Sequence, residues 1–209
     1  MEKNFFKYYI GTVVKPTATF EKLIADDRKL KFGFYSVLVS AILYTLVYVF
    51  LILGGGQPFK PWLDIPIEIY YRYNVFFCAP SMFLGWILSV GVIHTLSRLI
   101  TSNGTFEQTL ACFGFGIGIA SWTTGIHDLL TSFLGGIHVI SQRDYEIALN
   151  SPTFWRTLLW IQMTAYLIWF VILFSKSVKV VYGLTTGQSI LLGTFGFFVY
   201  QLFFLIFNR

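Results

Sequence analysis

Charge is scarce in this sequence. Asp, Glu, Lys and Arg make up 12% of its 209 residues, against 56% hydrophobic and 20% aromatic. That balance excludes an ordinary soluble domain, whose surface needs about twice as much charge. Long polar stretches are missing too. The longest are the first 33 residues, a segment near Gly54 to Asn74 and another near Gly135 to Arg156, all too short to close an independent core. The two cysteines, Cys78 and Cys112, exclude a disulfide framework and read as small apolar packing residues. The three histidines are His94, His127 and His138; a His127, Asp128, His138 set matches no stereotyped ligand spacing, so neither a metal nor a cofactor is expected. No nucleophile and base gather in one layer, which argues against an enzyme. No basic stripe with exposed aromatics stands clear of the apolar segments, which argues against a nucleic-acid partner.

What the sequence does contain is five apolar runs of about 18 or more residues, the length that crosses a hydrocarbon core of roughly 30 Å. They are Phe34 to Leu53, Val75 to Leu96, Thr109 to Leu130, Thr157 to Phe174 and Ile190 to Phe207. The expected fold is therefore all-α: a polytopic membrane protein built as a bundle of five transmembrane helices, with an amphipathic interfacial helix at the N-terminus. Residues 1–33 form the N-terminal segment and residues 34–209 the transmembrane domain. Met1 to Lys31 is studded with charges and lacks the apolar core and cleavage site of a signal peptide, so the first span is expected to direct insertion. Lys3, Lys7, Lys15, Lys22, Arg28, Lys29, Lys31, Arg98, Lys176 and Lys179 fall on one side of the membrane. Lys60, Arg72, Arg143, Arg156 and Arg209 fall on the other. The bias places the N-terminus in the cytoplasm and, after five spans, the C-terminus outside. The net charge of +5 suits basic residues beside anionic headgroups, and the lipid bilayer is the first partner.

Local patterns refine this picture. After Pro16, which suits a first helical turn, Phe20, Leu23 and Ile24 recur at helical spacing and define a short amphipathic helix. It reads as a membrane-surface anchor or a docking surface for a cytoplasmic partner. In "SNGTFEQTL", Asn103-Gly104 signals a turn, and Thr105 with Gln108 has the form of a capping box that starts the third helix. Gly114 and Gly118 form a small-xxx-small pair that lets another helix approach closely, which also makes a homo-oligomer through glycine faces plausible. Lys176 and Lys179 read as part of a basic elbow between the fourth and fifth spans, with turns at Gly183 and Gly187.

The ordered set "KPTATFEKL", "GTFEQTLACFGFG" and "KVVYGLTTGQSILL" resembles the Yip family, small five-span membrane proteins named for interaction with Ypt/Rab GTPases. With about thirty residues before the first span, the chain is similar to the short bacterial or archaeal members, which implies the cytoplasmic membrane of a prokaryote. For such members the resemblance implies a membrane-organising or trafficking-like role, without GTPase binding carried over.

The polar residues of the spans are the remaining candidates. Asp128 lies about eight residues past the middle of the third span, roughly 12 Å along the helix, near the external edge. There it is expected to end a helix, by snorkelling or by pairing with Arg72, or to handle ions together with His127. His94, one turn before Arg98, is expected to pack against headgroups. Gln162 and Gln201 read as interhelical hydrogen-bond glue. Two functions follow: a non-enzymatic scaffold or adaptor acting through its cytoplasmic face and helix packing, or a small transporter or channel subunit. The second requires polar residues from several spans to converge, often beside a broken helix.

Overall fold

The computed structural model describes residues 3–58 and 61–208, apart from the side chain of Lys3. Lys60 and Arg209, counted above in the charge asymmetry, lie outside the described residues. Within them run the helices α1 (Lys3–Val14), α2 (Pro16–Ile24), α3 (Lys29–Leu53), α4 (Tyr70–Arg98), α5 (Phe106–Ala120), α6 (Trp122–Gly136), α7 (Gln142–Asn150), α8 (Phe154–Tyr182) and α9 (Thr186–Asn208). Four of these, namely α3, α4 with its lead-in turn, α8 and α9, are long and apolar enough to cross a membrane. The pair α5 and α6 passes the same test jointly, bent by 44°, and counted as one span it gives five. The protein is an all-helical polytopic membrane bundle.

Local chemistry sets several boundaries. Gly104 adopts φ +76, the left-handed turn that glycine reaches without strain. Thr105 then accepts the Gln108 N–H at 3.2 Å while its own N–H donates to Gln108 Oε1 at 3.1 Å, so two orphan donors of α5 are satisfied at once. Helix α8 does not stop at Phe174. With no breaker in "SKSVKVVY", it continues until Gly183, at φ +67, caps it. Lys176 and Lys179 therefore sit on the last turns of α8 rather than in an elbow, and Gly187 lies inside α9 rather than in a turn.

Helix α3 runs parallel to the bent pair along a seam of small residues. A Cβ on Gly114 would lie 2.6 Å from the Gly33 carbonyl oxygen, and one on Gly118 would strike Ser36 Oγ. Farther along, Gly54 meets the Gly135 backbone in the same way. Gly85 faces Tyr200, Gly193 faces Ser175, and Gly196 faces Ile93 and Phe113. These glycine faces are filled by helices of the same chain, so they offer nothing to a second copy.

The N-terminal helices depart from expectation. The amphipathic helix after Pro16 is present as α2, but Phe20 and Leu23 are fully buried and α2 lies on α8 and α5. Helical spacing of apolar residues specifies a buried face without specifying what buries it, and here the bundle does so. Phe20 and Leu23 are therefore not a docking surface; Ile24 is half-buried, as is Pro16. Ahead of α2, α1 seats Phe5 against Phe32, Tyr35 and Phe115. Tyr8 donates to Asp26 Oδ2 at 3.0 Å, and the Arg28 N–H donates to Asp26 Oδ1 at 2.8 Å.

Burial would raise the Asp26 pKa, but the Arg28 N–H, the Tyr8 hydroxyl and the Arg28 charge together bring it below the usual carboxylate value. A depressed folded-state pKa contributes stability above the unfolded value, and that stability is lost as pH falls through the folded one. Thermal melts of the detergent-solubilised protein should therefore fall as pH drops below about 4. In Asp26→Asn that acid-side drop should shrink. An equal drop in both would remove Asp26 as its source.

Candidate functional site

The bend of the third span organises the site. The sequence "IASW" at Ile119 to Trp122 holds no proline and no glycine pair, yet α5 ends at Ala120 and α6 starts at Trp122. In hydrocarbon each carbonyl freed by such a break must find another donor. Here side chains supply them. Tyr9 of α1 donates its hydroxyl to the Gly118 carbonyl at 2.8 Å, and Thr123 Oγ1 donates to the Ala120 carbonyl at 2.7 Å. Trp122 Nε1 donates in turn to the Tyr9 hydroxyl oxygen at 2.5 Å. No local sequence signal pointed to this break.

Beyond the break, Thr124, Asp128 and Ser132 follow at four-residue spacing on the face of α6 where Thr124 and Ser132 are buried. Helix α6 packs mainly on α3, where Tyr44 shares a 2.8 Å hydrogen bond with Thr124. Side chains from the other spans complete a polar layer. Tyr166 of α8 donates to Gln201 Oε1 of α9 at 3.1 Å. Tyr48 of α3 donates to the Asn208 carbonyl at 3.0 Å, and Asn208 Nδ2 donates to Ser81 Oγ of α4 at 2.7 Å. Gln162 Oε1 and Asn208 Oδ1 are buried without a hydrogen-bond partner among the described residues.

Asp128 sits between Thr124 and Ser132 on this stripe of α6, with its side chain 32% exposed. It makes no ion pair with Arg72, which is exposed in a separate groove beside Gln57, Glu68 and Tyr71. Arg72 stands at the start of α4, whereas Asp128 lies midway along α6. His127 Nδ1 approaches Asp128 Oδ1 at 3.5 Å without forming a hydrogen bond. The two neighbours serve different surroundings. His127 Nε2 meets the Tyr145 hydroxyl at 3.2 Å and its ring lies 6.4 Å from that of Trp155, in a groove of about 500 Å³ between α6, α7 and the start of α8. Burial, opposed by a hydrogen bond to Thr131 and joined by the charge of Asp128, pushes the Tyr145 hydroxyl up to about 12.

On the N-terminal side, His94 turns inward rather than toward headgroups. Its Nδ1 meets the Tyr182 hydroxyl at 2.8 Å, which meets Thr109 Oγ1 at 2.6 Å, tying α4, α5 and α8 together. Arg98 does not share this contact; its guanidinium donates to the Ser102 carbonyl and closes the turn before α5. Cys78 and Cys112 are free and buried. No cluster of three or more His, Cys, Asp or Glu side chains occurs among the described residues.

Five apolar spans, one of them broken and cross-braced by a polar layer, define an integral membrane protein of the polytopic helical class. The chain belongs to the Yip1 domain family, whose model matches residues 10–207. That match reaches from the end of α1 into α9. No curated protein and no solved structure matches the chain.

Proposed function

We propose that this Yip1-family protein is a non-enzymatic membrane scaffold or adaptor. In this reading its N-terminal face is cytoplasmic and recruits a membrane or cytoplasmic protein. The observation that supports it is the α1–α2 hairpin, clamped to the bundle through Tyr9, Asp26 and the hydrogen bond from Lys176 Nζ to Thr17 Oγ1 at 3.3 Å. A groove of about 380 Å³ opens between the two helices, rimmed by exposed Lys7, Lys15 and Lys22. A fixed basic surface of this kind selects a partner by charge complementarity and offers it no ordering cost. The test is affinity purification of the tagged full-length protein in mild detergent beside the triple variant Lys7→Glu, Lys15→Glu, Lys22→Glu. Because all three side chains are exposed, both proteins should melt alike. A stoichiometric partner lost only in the variant is the expected result; identical co-purifying proteins would overturn the reading.

The polar layer beside a broken span favours a second reading, a small transporter or channel subunit. The hydrogen bonds that pair Tyr44 with Thr124 and Tyr166 with Gln201 weigh toward interhelical glue instead. Asp128→Asn separates the two. For a scaffold it should leave partner recovery intact and move stability by about 1 kcal/mol or less. Loss of ion flux in liposomes, with an unchanged melt, would favour transport.

A further inference from the structure

A groove of about 300 Å³ runs between α8 and α9 on the N-terminal side of the bundle. Its lining is ordered by depth. Lys179 and Thr186 stand at the rim and Lys176 one turn deeper, while Val171, Ile172 and Ile190 form walls that continue toward the middle of the membrane. From Lys179 to Val171 the helix descends about 12 Å at its rise per residue, which carries the lining from headgroup level into acyl-chain level.

One further observation distinguishes this groove from an ordinary seam between helices. Neither lysine has an acidic partner among the described residues: Lys179 Nζ donates to Thr186 Oγ1 at 2.9 Å and Lys176 Nζ to Thr17 Oγ1 at 3.3 Å, both neutral hydroxyls. Both positive charges therefore remain uncompensated.

We infer that this groove is a binding site for one anionic glycerophospholipid of the leaflet on the N-terminal side. Lys176 and Lys179 hold the phosphate, and the first part of an acyl chain lies along Val171, Ile172 and Ile190. Basic pockets between spans recognise anionic headgroups by this combination of charge and depth. A volume of about 300 Å³ suits a headgroup with its glycerol, the remainder of the lipid staying in the bilayer. The inference does not depend on the scaffold reading: Lys176 also bonds Thr17 of the hairpin, but Lys179, Thr186 and the apolar walls take no part in that clamp.

The experiment is native mass spectrometry of the full-length protein in detergent, titrated with phosphatidylglycerol, with phosphatidylcholine and, separately, with inorganic phosphate. The expected result is one retained phosphatidylglycerol per chain, weak retention of phosphatidylcholine, and no displacement by inorganic phosphate. In Lys176→Gln, Lys179→Gln retention should weaken roughly 30-fold, two basic contacts' worth. In Lys176→Arg, Lys179→Arg, which keeps the charge and the fold, it should persist. Equal retention of both lipids, or unchanged retention in the glutamine variant, would overturn the inference. Displacement by inorganic phosphate would do so as well, by marking a soluble-anion site. If the glutamine variant does not fold, the lipid preference of the wild type and of the arginine variant still decides the matter.

Discussion

Gly114→Leu is expected to abolish assembly of the bundle. The first atom added at that position meets the Gly33 carbonyl oxygen at 2.6 Å and the Gly33 carbonyl carbon at 2.9 Å. These are backbone atoms of a helix that cannot swing aside as a flexible side chain would. Relief requires α3 and α5 to separate along their whole seam, including the contacts at Ser36 and Ala111. Overpacking of this kind costs about 3 kcal/mol or more, comparable with a large share of a domain's net stability. Size-exclusion chromatography should show loss of the monodisperse species, with a strong fall in yield. Gly91→Leu is the matched control: nothing lies within 4 Å of a Cβ there, so its change should stay within about 0.5 kcal/mol. Similar behaviour of the two variants would mean that the α3–α5 seam does not hold the fold.

The second large effect is expected at Tyr9. Its hydroxyl both donates to the Gly118 carbonyl and accepts from Trp122 Nε1, so Tyr9→Phe leaves the indole N–H unpaired and the carbonyl with only the long bond from Ser40 Oγ at 3.4 Å. A membrane-embedded hydrogen bond is worth about 1–2 kcal/mol at most, and two are lost together. Tyr9→Ala also removes the ring packed against Phe5 and Phe115, for a total of about 3 kcal/mol or more. Thermal melts should rank wild type above Tyr9→Phe above Tyr9→Ala, and hydrogen exchange should rise at Trp122 to Gly125. Unchanged exchange across that stretch in Tyr9→Ala would show that the bend is intrinsic to the third span and independent of α1.

These two residues also show what could be read from the sequence. The capping box at Thr105 and Gln108 was legible because all its atoms lie within four residues. The spans were legible because hydropathy over a membrane's width is a local sum. The pairing of Gly114 with Gly118 announced a close approach but not its partner, since Gly33 lies on a helix that only the fold brings near. The break at Ser121 was not legible at all, because the donor that satisfies it is 109 residues away. For Phe20 and Leu23 the buried face was evident but its occupant was not; lipid, a partner protein and the bundle demand the same spacing. Asp128 carried a usable signal. Thr124 and Ser132, one turn to either side, are buried and mark a polar stripe that includes Asp128.

The contact between Tyr9 and Gly118 also orders events during synthesis. Tyr9 leaves the ribosome long before Gly118 does, and its acceptor does not exist until the third span has entered the bilayer and bent. Until then α1 can pack Phe5 only against Phe32 and Tyr35 of the first span, with Tyr9 unseated. Closure of the N-terminal segment is therefore a late step, and resistance of that segment to protease in timed translation reports when the third span has reached its final shape.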